Sequence, residues 1–543
     1  MEVSRSWERV FAVCSITALF CVLTARVLGP SDLWDQTQPR TVAYTTDIVI
    51  NGHWLLPLAG GVEPATKPPL YNWLAVGAVT LMGLSSELAH KAPSVVALCL
   101  CWLGLVRWGS RLVGERSGGS GGERAIGWLA GMIFLSGYTI FKLAYLARPD
   151  MVLTFFMFAG WVAATVLIAD VADENPDDRL PAAHRRWIAL GLWMCVGLGA
   201  LTKGPAVGPL IIYAGVAPRL VAGRWRAAGA LGWWWGLPLS MVLIAAWLYG
   251  VWRADAGHLV DQLWKEELYG RLTGLGSEAG DRGPIALLTT APYMIWYYAA
   301  RFEPWCIFST LAMVMLWWRV RSTGRRRWRE LGRAGSVLHG AVIFVLLTIA
   351  FFSFSAGKRA DYLAPVYPAG ALLAAWWLLE APPRIGVRAP WFAPVCAAFV
   401  LTGLTIHNRL QMSAPFPGYG DGIMTFIRES GQRLQARPAP VVFWTSGHLV
   451  VRSLLGASGP GGADEVREAC GAGRPFWLIA RRKEFNVVET WLRGGDVDGV
   501  VTELHESSPL QMGDAPGGDL GNLVMAFIEP GARRGRAADP AAP

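Results

Sequence analysis

Up to residue 407 the chain is a succession of long apolar runs separated by short polar segments rich in Arg. A helix rises about 1.5 Å per residue, so an apolar run of about 20 residues is long enough to cross the hydrocarbon of a bilayer. The runs that predict membrane-spanning helices are 9–29, 91–113, 125–146, 151–169, 187–201, 204–221, 229–252, 303–318, 335–355, 360–380 and 390–407, about eleven by the hydropathy criterion. The stretches 69–84 and 283–299 are also apolar. Past about residue 408 the texture changes. Apolar runs shorten to strand length, as in PVVFW at 440–444, FWLIA at 476–480 and NLVMAFIE at 522–529, and alternate with helix-like stretches around 421–435 and 484–493. Strands alternating with helices predict a small α/β domain.

The expected fold class is therefore an all-α polytopic membrane protein with a small α/β domain at its C-terminal end. The expected organisation is a transmembrane domain over 1–407, whose first outer loop covers 30–90, an extracytoplasmic α/β domain over 408–530, and a tail over 531–543 of disordered composition. No repeat of 20 to 50 residues is evident in the sequence.

Composition agrees with the pattern. Of 543 residues, 53% are hydrophobic, 16% are charged and 28 are Trp, a profile that excludes a single soluble core of this size. Orientation follows from Lys and Arg in the short loops. With the N-terminus MEVSRSWER inside, the basic loops at 107–124, 179–186, 219–226, 319–333 and 384–388 all fall inside as well, as the positive-inside rule requires. The arrangement holds only if 69–84 does not span, so this stretch reads as a helix lying along the outer surface with Trp73 at the interface. An odd number of spans then places the C-terminus outside. The formal net charge of +9 is mostly this cytoplasmic Arg, which speaks for topology and against nucleic-acid binding. The first span lacks a small-residue cleavage site and reads as a retained anchor. Seven of the eight cysteines lie in apolar spans, and only Cys470 falls in the soluble part, so no disulfide framework or Cys-based metal site is indicated.

On the outer side this topology gathers polar residues from loops far apart in sequence. The first loop supplies Asp32, Asp35, Arg40, Asp47, His53, Glu63 and Lys67; the ARPD turn supplies Arg148 and Asp150; LTKGP supplies Lys203; SAGKRADYLAPVYP supplies Lys358, Arg359, Asp361 and Tyr362. Both signs of charge collect at span ends, which suits an anionic lipid headgroup beside an acid or base.

At these positions the chain resembles the bacterial membrane glycosyltransferases that use polyprenyl-phosphate sugars, namely the lipid A aminoarabinose transferases and their relatives in the protein O-mannosyltransferase superfamily. Four local patterns, in the family's order over residues 1–410, carry the likeness. A first loop of the form D-E-x-R-Y, G-D-W-L-x-P and E-K-P-P-L-x-Y-W-L reads here as Thr37-Gln38-Pro39-Arg40-Thr41, GHWLLP at 52–57 and TKPPLYNWL at 66–74. Asp150 in RPDMVLTFF is the acidic residue after the third span, LTKGP stands at 201–205, and Lys358, Tyr362, Pro365 and Pro368 form the late K-x-x-x-Y-x-x-P-x-x-P segment. The chain departs from the family at three places. Thr37-Gln38 replaces the acidic pair, with Asp35 two residues upstream; Thr66 replaces the acid before Lys-Pro-Pro; Glu267 stands where a metal-binding His can occur.

The resemblance implies a GT-C-type helical membrane fold in a bacterial cytoplasmic membrane, with the active site outside the cytoplasm. It implies transfer of a sugar from a polyprenyl-phosphate donor to a glycolipid, polysaccharide or protein acceptor by one inverting displacement. Such a step needs cations around the leaving phosphate and one base for the acceptor hydroxyl. The candidate catalytic residues are Asp35 and Asp150. Asp35 begins an amphipathic stretch in which 35, 38 and 42 share a helical face, and a helix cap is its ordinary alternative role. Asp150 is equally placed to pair with Arg148. Arg40, Lys67, Lys203, Lys358, Arg359 and Tyr362 are the donor-phosphate candidates; at membrane ends the same residues also serve as interfacial anchors. No cofactor is expected. A divalent metal is the one the resemblance allows, and His53, His258 and Glu63 lie at no spacing that compels it. The expected partners are the lipid-linked sugar, membrane lipids and an extracytoplasmic acceptor, with no nucleic acid. Two other classes fit the pattern less well: a transporter, which predicts ionisable residues near span centres and an inverted repeat, and a membrane-anchored binding protein, a catalytically silent relative included.

Overall fold

The computed structural model of the chain describes residues 5–34, 37–113, 123–172, 179–258, 261, 265, 289–329, 332–355, 357–380, 391–411, 419–444, 449–457, 461–497, 499–507 and 522–529. The described chain divides into two compact units. The first comprises Met1–Leu28, Thr66–Leu74 and Lys91–Ile406, and the second Gly29–Ala65, Ala75–His90 and His407–Pro543.

The first unit is helical and apolar. Seven stretches of the chain, among the described residues, are long and apolar enough to cross a membrane: Ser6–Val27, Glu87–Gly109, Asp150–Ala172, Ala182–Leu220, Trp233–Ala254, Ala334–Ser353 and Ala360–Leu379. Pro292–Arg301 and Trp305–Ser322, bent by 120° at their junction, make an eighth when taken together. The chain is thus a polytopic integral membrane protein.

Ala182–Leu220 is continuous in hydropathy but not in backbone. The helix Ala182–Lys203 ends where Gly204 takes a φ of 58°, and a new helix runs from Gly208 to Leu220. Side-chain pairs give the direction of each. Asp150 meets Lys203 and Asp170 meets Arg185, at opposite ends of Asp150–Ala172, so Ala182–Lys203 runs antiparallel to it. Leu210 packs where a Cβ on Gly160 would come within 2.5 Å, and Tyr213 shares a 2.7 Å hydrogen bond with Thr165, so Gly208–Leu220 runs back parallel to it. The 39-residue apolar stretch is a helical hairpin, matching the separate runs 187–201 and 204–221 of the sequence.

The run 125–146 differs from expectation. It forms a helix Glu123–Leu135 and a short helix Tyr138–Leu143 rather than one span. The Ser136 hydroxyl donates back to the carbonyls of Met132 and Ile133, and Gly137 adopts extended backbone beside the Phe302 ring. A hydroxyl competing for helix carbonyls followed by an extended glycine ends the first helix. The run 69–84 contains the 13-residue helix Leu70–Met82, at about 1.5 Å per residue too short to cross the hydrocarbon. The run 390–407 forms Phe392–Gln411.

The second unit joins the segment Gly29–Ala65 to the C-terminal region. A helix Gln38–Asn51, started by Pro39 and closed by Gly52 at a φ of 72°, leads to a hairpin of β1 (Leu58–Ala59) and β2 (Glu63–Pro64). The buried Asp47 carboxylate fixes this loop. It accepts hydrogen bonds from the Asn51 amide at 2.7 Å and the Leu58 backbone N–H at 2.8 Å, and lies 2.9 Å from His53 Nδ1. Ala43 and Tyr44 pack with Ala59, Ala65 and Leu449, while the Thr46 hydroxyl donates to the Ser453 carbonyl at 3.1 Å. The C-terminal sheet has the order β3-β4-β6-β5, with β3 (Val441–Trp444) parallel to β4 (Phe476–Arg481), and β6 (Leu523–Glu529) antiparallel to both β4 and β5 (Val500–Glu506). The central strands read as unbroken apolar runs because both faces are buried. One face packs on the amphipathic helices Ala463–Gly471 and Arg482–Gly494 through Val466, Phe485 and Val488.

Candidate active site

Charges in the first unit converge on one buried chain of ion pairs. Asp150 opens the helix Asp150–Ala172 and is almost wholly buried; Lys203 Nζ sits 2.5 Å from its Oδ1, and Arg148 Nη2 lies 3.1 Å from its Oδ2. Arg148 also donates from Nη1 to Asp361 Oδ2 at 2.9 Å. Asp361 in turn accepts from Lys142 Nζ with both oxygens at 3.1 Å. Four separate segments thus meet through Lys142–Asp361–Arg148–Asp150–Lys203. Buried charges persist only when paired, and here, among the described residues, three cations meet two carboxylates in one connected chain. Lys67, half-buried at the start of KPPLYNW, is close enough to act on Asp150 electrostatically. The arrangement is suited to an anion.

The turn that carries Arg148 is held from three sides. Arg26, at the end of the first helix, donates from Nη2 to the carbonyls of Lys142 at 3.2 Å and Tyr145 at 3.3 Å. Ser94 Oγ donates to the carbonyl of Leu146 at 2.6 Å, and the Tyr71 hydroxyl donates to the same carbonyl at 3.1 Å. Burial pushes the Tyr71 phenol well above its usual range, which keeps it a donor. Lys91, fully buried, lies 4.3 Å from the centre of the Tyr145 ring.

The candidates from sequence are distributed unevenly. Asp150, Lys203 and Tyr362 come together, with Lys203 Nζ 4.6 Å from the centre of the Tyr362 ring. Lys358 turns to the Thr290 hydroxyl at 2.7 Å and the Ser355 carbonyl at 3.1 Å, and Arg359 is exposed just before the short helix Ala360–Val366. Arg40, in the second unit, is exposed and pairs with Glu63 at 3.2 Å. Asp35 and Glu267 lie outside the described residues. Gln38 is buried and donates to Asp32, at 2.7 Å to its carbonyl and 3.4 Å to its carboxylate. Asp32 is itself buried. Among the described residues no three His, Cys, Asp or Glu side chains gather as metal ligands.

Lys142, Tyr71, Ser94 and Arg26 are site residues that the sequence reading does not name, and Asp361, gathered there with the outer polar residues, has no role assigned to it. Three of them carried a signal. Arg26, Lys142 and Asp361 are ionisable residues inside the apolar runs 9–29, 125–146 and 360–380, where an unused charge is costly.

No protein-family model matches the chain. Among curated proteins it is similar to the undecaprenyl phosphate-alpha-4-amino-4-deoxy-L-arabinose arabinosyl transferase of Shewanella sediminis, 22% identical over 371 residues that cover 67% of this chain and 59% of that protein. The enzyme of the same name from Aeromonas salmonicida is 24% identical over 365 residues, 64% of this chain and 56% of that protein. The chain spans about three fifths of the length of the curated relatives it matches. Among solved structures, ArnT from Cupriavidus metallidurans bound to undecaprenyl phosphate superposes with a TM-score of 0.66 at 16% identity, covering 96% of this chain and 98% of that one. Likeness over nearly the full length of both chains shows that this protein has the fold of that ArnT structure.

Proposed function

We propose that the protein is a membrane glycosyltransferase that moves a sugar from a polyprenyl-phosphate donor to an extracytoplasmic acceptor by a single inverting displacement. The observation that carries this reading is the buried chain Lys142–Asp361–Arg148–Asp150–Lys203, in which three cations meet two carboxylates among the described residues. A polyprenyl-phosphate sugar is a phosphodiester with one negative charge. As the anomeric C–O bond breaks, its electron pair stays on the phosphate oxygen, and the leaving polyprenyl phosphate becomes a monoester with a second negative charge. Cations fixed in advance favour that state over the donor, which is what accelerates the step. The acceptor oxygen forms the new bond to the anomeric carbon from the opposite side and gives its proton to a carboxylate base. The named relatives act on an undecaprenyl-phosphate sugar, and the ArnT structure of like fold holds undecaprenyl phosphate.

Lys203 and Arg148, placed by Asp150, face the leaving phosphate in this reading, with Lys67, Arg40, Lys358, Arg359 and Tyr362 as further donor contacts. The base is Asp35 or Asp150. No step is routed through a metal. The protein sits in the bacterial inner membrane with about eleven spans, and its second unit, which contains the first outer loop and the C-terminal sheet, lies outside the cytoplasm.

Two measurements test this. The purified protein, given a panel of polyprenyl-phosphate sugars and candidate acceptors, should consume one donor and release polyprenyl phosphate; a protein that leaves every donor intact is not such an enzyme. A reporter fused after residue 410 should be active outside the cytoplasm and one fused near Arg326 inside. The reverse pattern would place every proposed site residue on the wrong side.

A further inference from the structure

We propose that Lys142 and Asp361 form a positioning pair for the transfer reaction: the Asp361 carboxylate, held by Lys142, aims the Arg148 guanidinium at Asp150 and so sets where Lys203 and Arg148 meet the leaving phosphate. The inference rests on the function proposed above. Neither residue is needed to supply positive charge, because the pair is neutral on its own. Its value is geometric. Asp361 binds Lys142 with both oxygens at 3.1 Å and still takes the Arg148 Nη1 donor at 2.9 Å, so one carboxylate ties the short helix Tyr138–Leu143 to the turn before Asp150. Arg148 uses its other terminal nitrogen on Asp150, at 3.1 Å. A guanidinium is a planar fork; the prong bonded to Asp361 sets where the other lies, at ion-pair distance from Asp150 Oδ2 and without a hydrogen bond to it. Asp150 then presents its remaining oxygen to Lys203.

The order of burial fits this role. The Lys142 side chain keeps 21% of its accessible surface and Asp361 12%, against 5% for Arg148 and 2% for Asp150. Lys203, at 10%, makes the other outer end, so the pair lies at one end of the chain of charges, where it can hold the deeper members without replacing them. The Lys142 backbone is fixed separately by Arg26, so the anchor does not depend on the ion pair it supports.

The test compares turnover and donor KM in Asp361→Asn, Asp361→Glu, Lys142→Met and the double variant Asp361→Asn/Lys142→Met, with thermal unfolding of each as the control. Loss of a charged hydrogen bond that aims a cation predicts a fall in kcat of about tenfold to a hundredfold. The donor KM should change less, because the cations matter most when charge develops on the phosphate. Asp361→Glu, which keeps the charge, should recover part of the loss. The double variant should be no slower than the slower single one, because the two residues act as one device. Wild-type turnover in Asp361→Asn, or effects that multiply in the double variant, would overturn the inference while leaving the enzyme reading intact. An unaltered protein that transfers no sugar would overturn that reading and this inference together.

Discussion

Asp150→Asn is expected to lower stability by about 3–5 kcal/mol and to abolish most transfer, because it removes one carboxylate from between two buried cations. The substitution keeps the size of the side chain. What it deletes is the charge that Lys203 meets at 2.5 Å and Arg148 at 3.1 Å, leaving Asp361 as the one counter-charge among the five linked groups. The expected loss lies at the upper end of what single substitutions do, where stranded buried charge is a recognised cause. Thermal unfolding in detergent or nanodiscs, read beside Lys203→Met, measures it. Removing Lys203 leaves Asp150 paired with Arg148 and should cost less. An Asp150→Asn protein that unfolds at the wild-type temperature and still transfers sugar would show that the ion pairs neither hold these turns together nor organise the site.

Asp35→Asn is expected to slow transfer to a hydroxyl acceptor by about a hundredfold to ten-thousandfold while leaving donor affinity nearly unchanged, the signature of a lost general base. The pairing of Asp150 bears on this assignment. Both of its oxygens face cations, and a proton arriving there would strand Lys203 and Arg148 without a counter-charge. Asp150 is better suited to placing cations than to accepting protons, which leaves Asp35 as the first choice for the base. If Asp35→Asn transfers to a hydroxyl at the wild-type rate, the base lies elsewhere. Asp32, whose carboxylate stands 3.4 Å from the Gln38 amide, is then the next carboxylate to replace. An acceptor that is already an ionised phosphate would need no base, so comparing it with a hydroxyl acceptor distinguishes a displaced base from an absent one.

Hydropathy alone located nearly all of the helices, because a bilayer demands long apolar runs and leaves little freedom in how their backbone is satisfied. The break at Lys203-Gly204 was readable from two separate apolar runs and the LTKGP turn, and the helix Leu70–Met82 as non-spanning from the side on which the basic loops fall. The break at Ser136-Gly137 was not. It depends on a hydroxyl choosing helix carbonyls and on a ring from residue 302, a neighbour that no local window contains.

The site divides in the same way. Asp150, Lys203 and Tyr362 stood out from the sequence because each sits in a short recurrent pattern at a span end. Arg148 was readable as a partner of Asp150 from the turn they share, and the two do pair; the more distant partners were not readable. Lys142 and Asp361 are 219 residues apart, and Arg26 reaches a carbonyl 116 residues away. A charge buried in an apolar run announces in the sequence that it must have a partner, since leaving it unpaired is prohibitive. Which partner it takes is settled only when the helices pack, because an ion pair is specified by a few ångströms of side-chain geometry that composition and spacing do not contain.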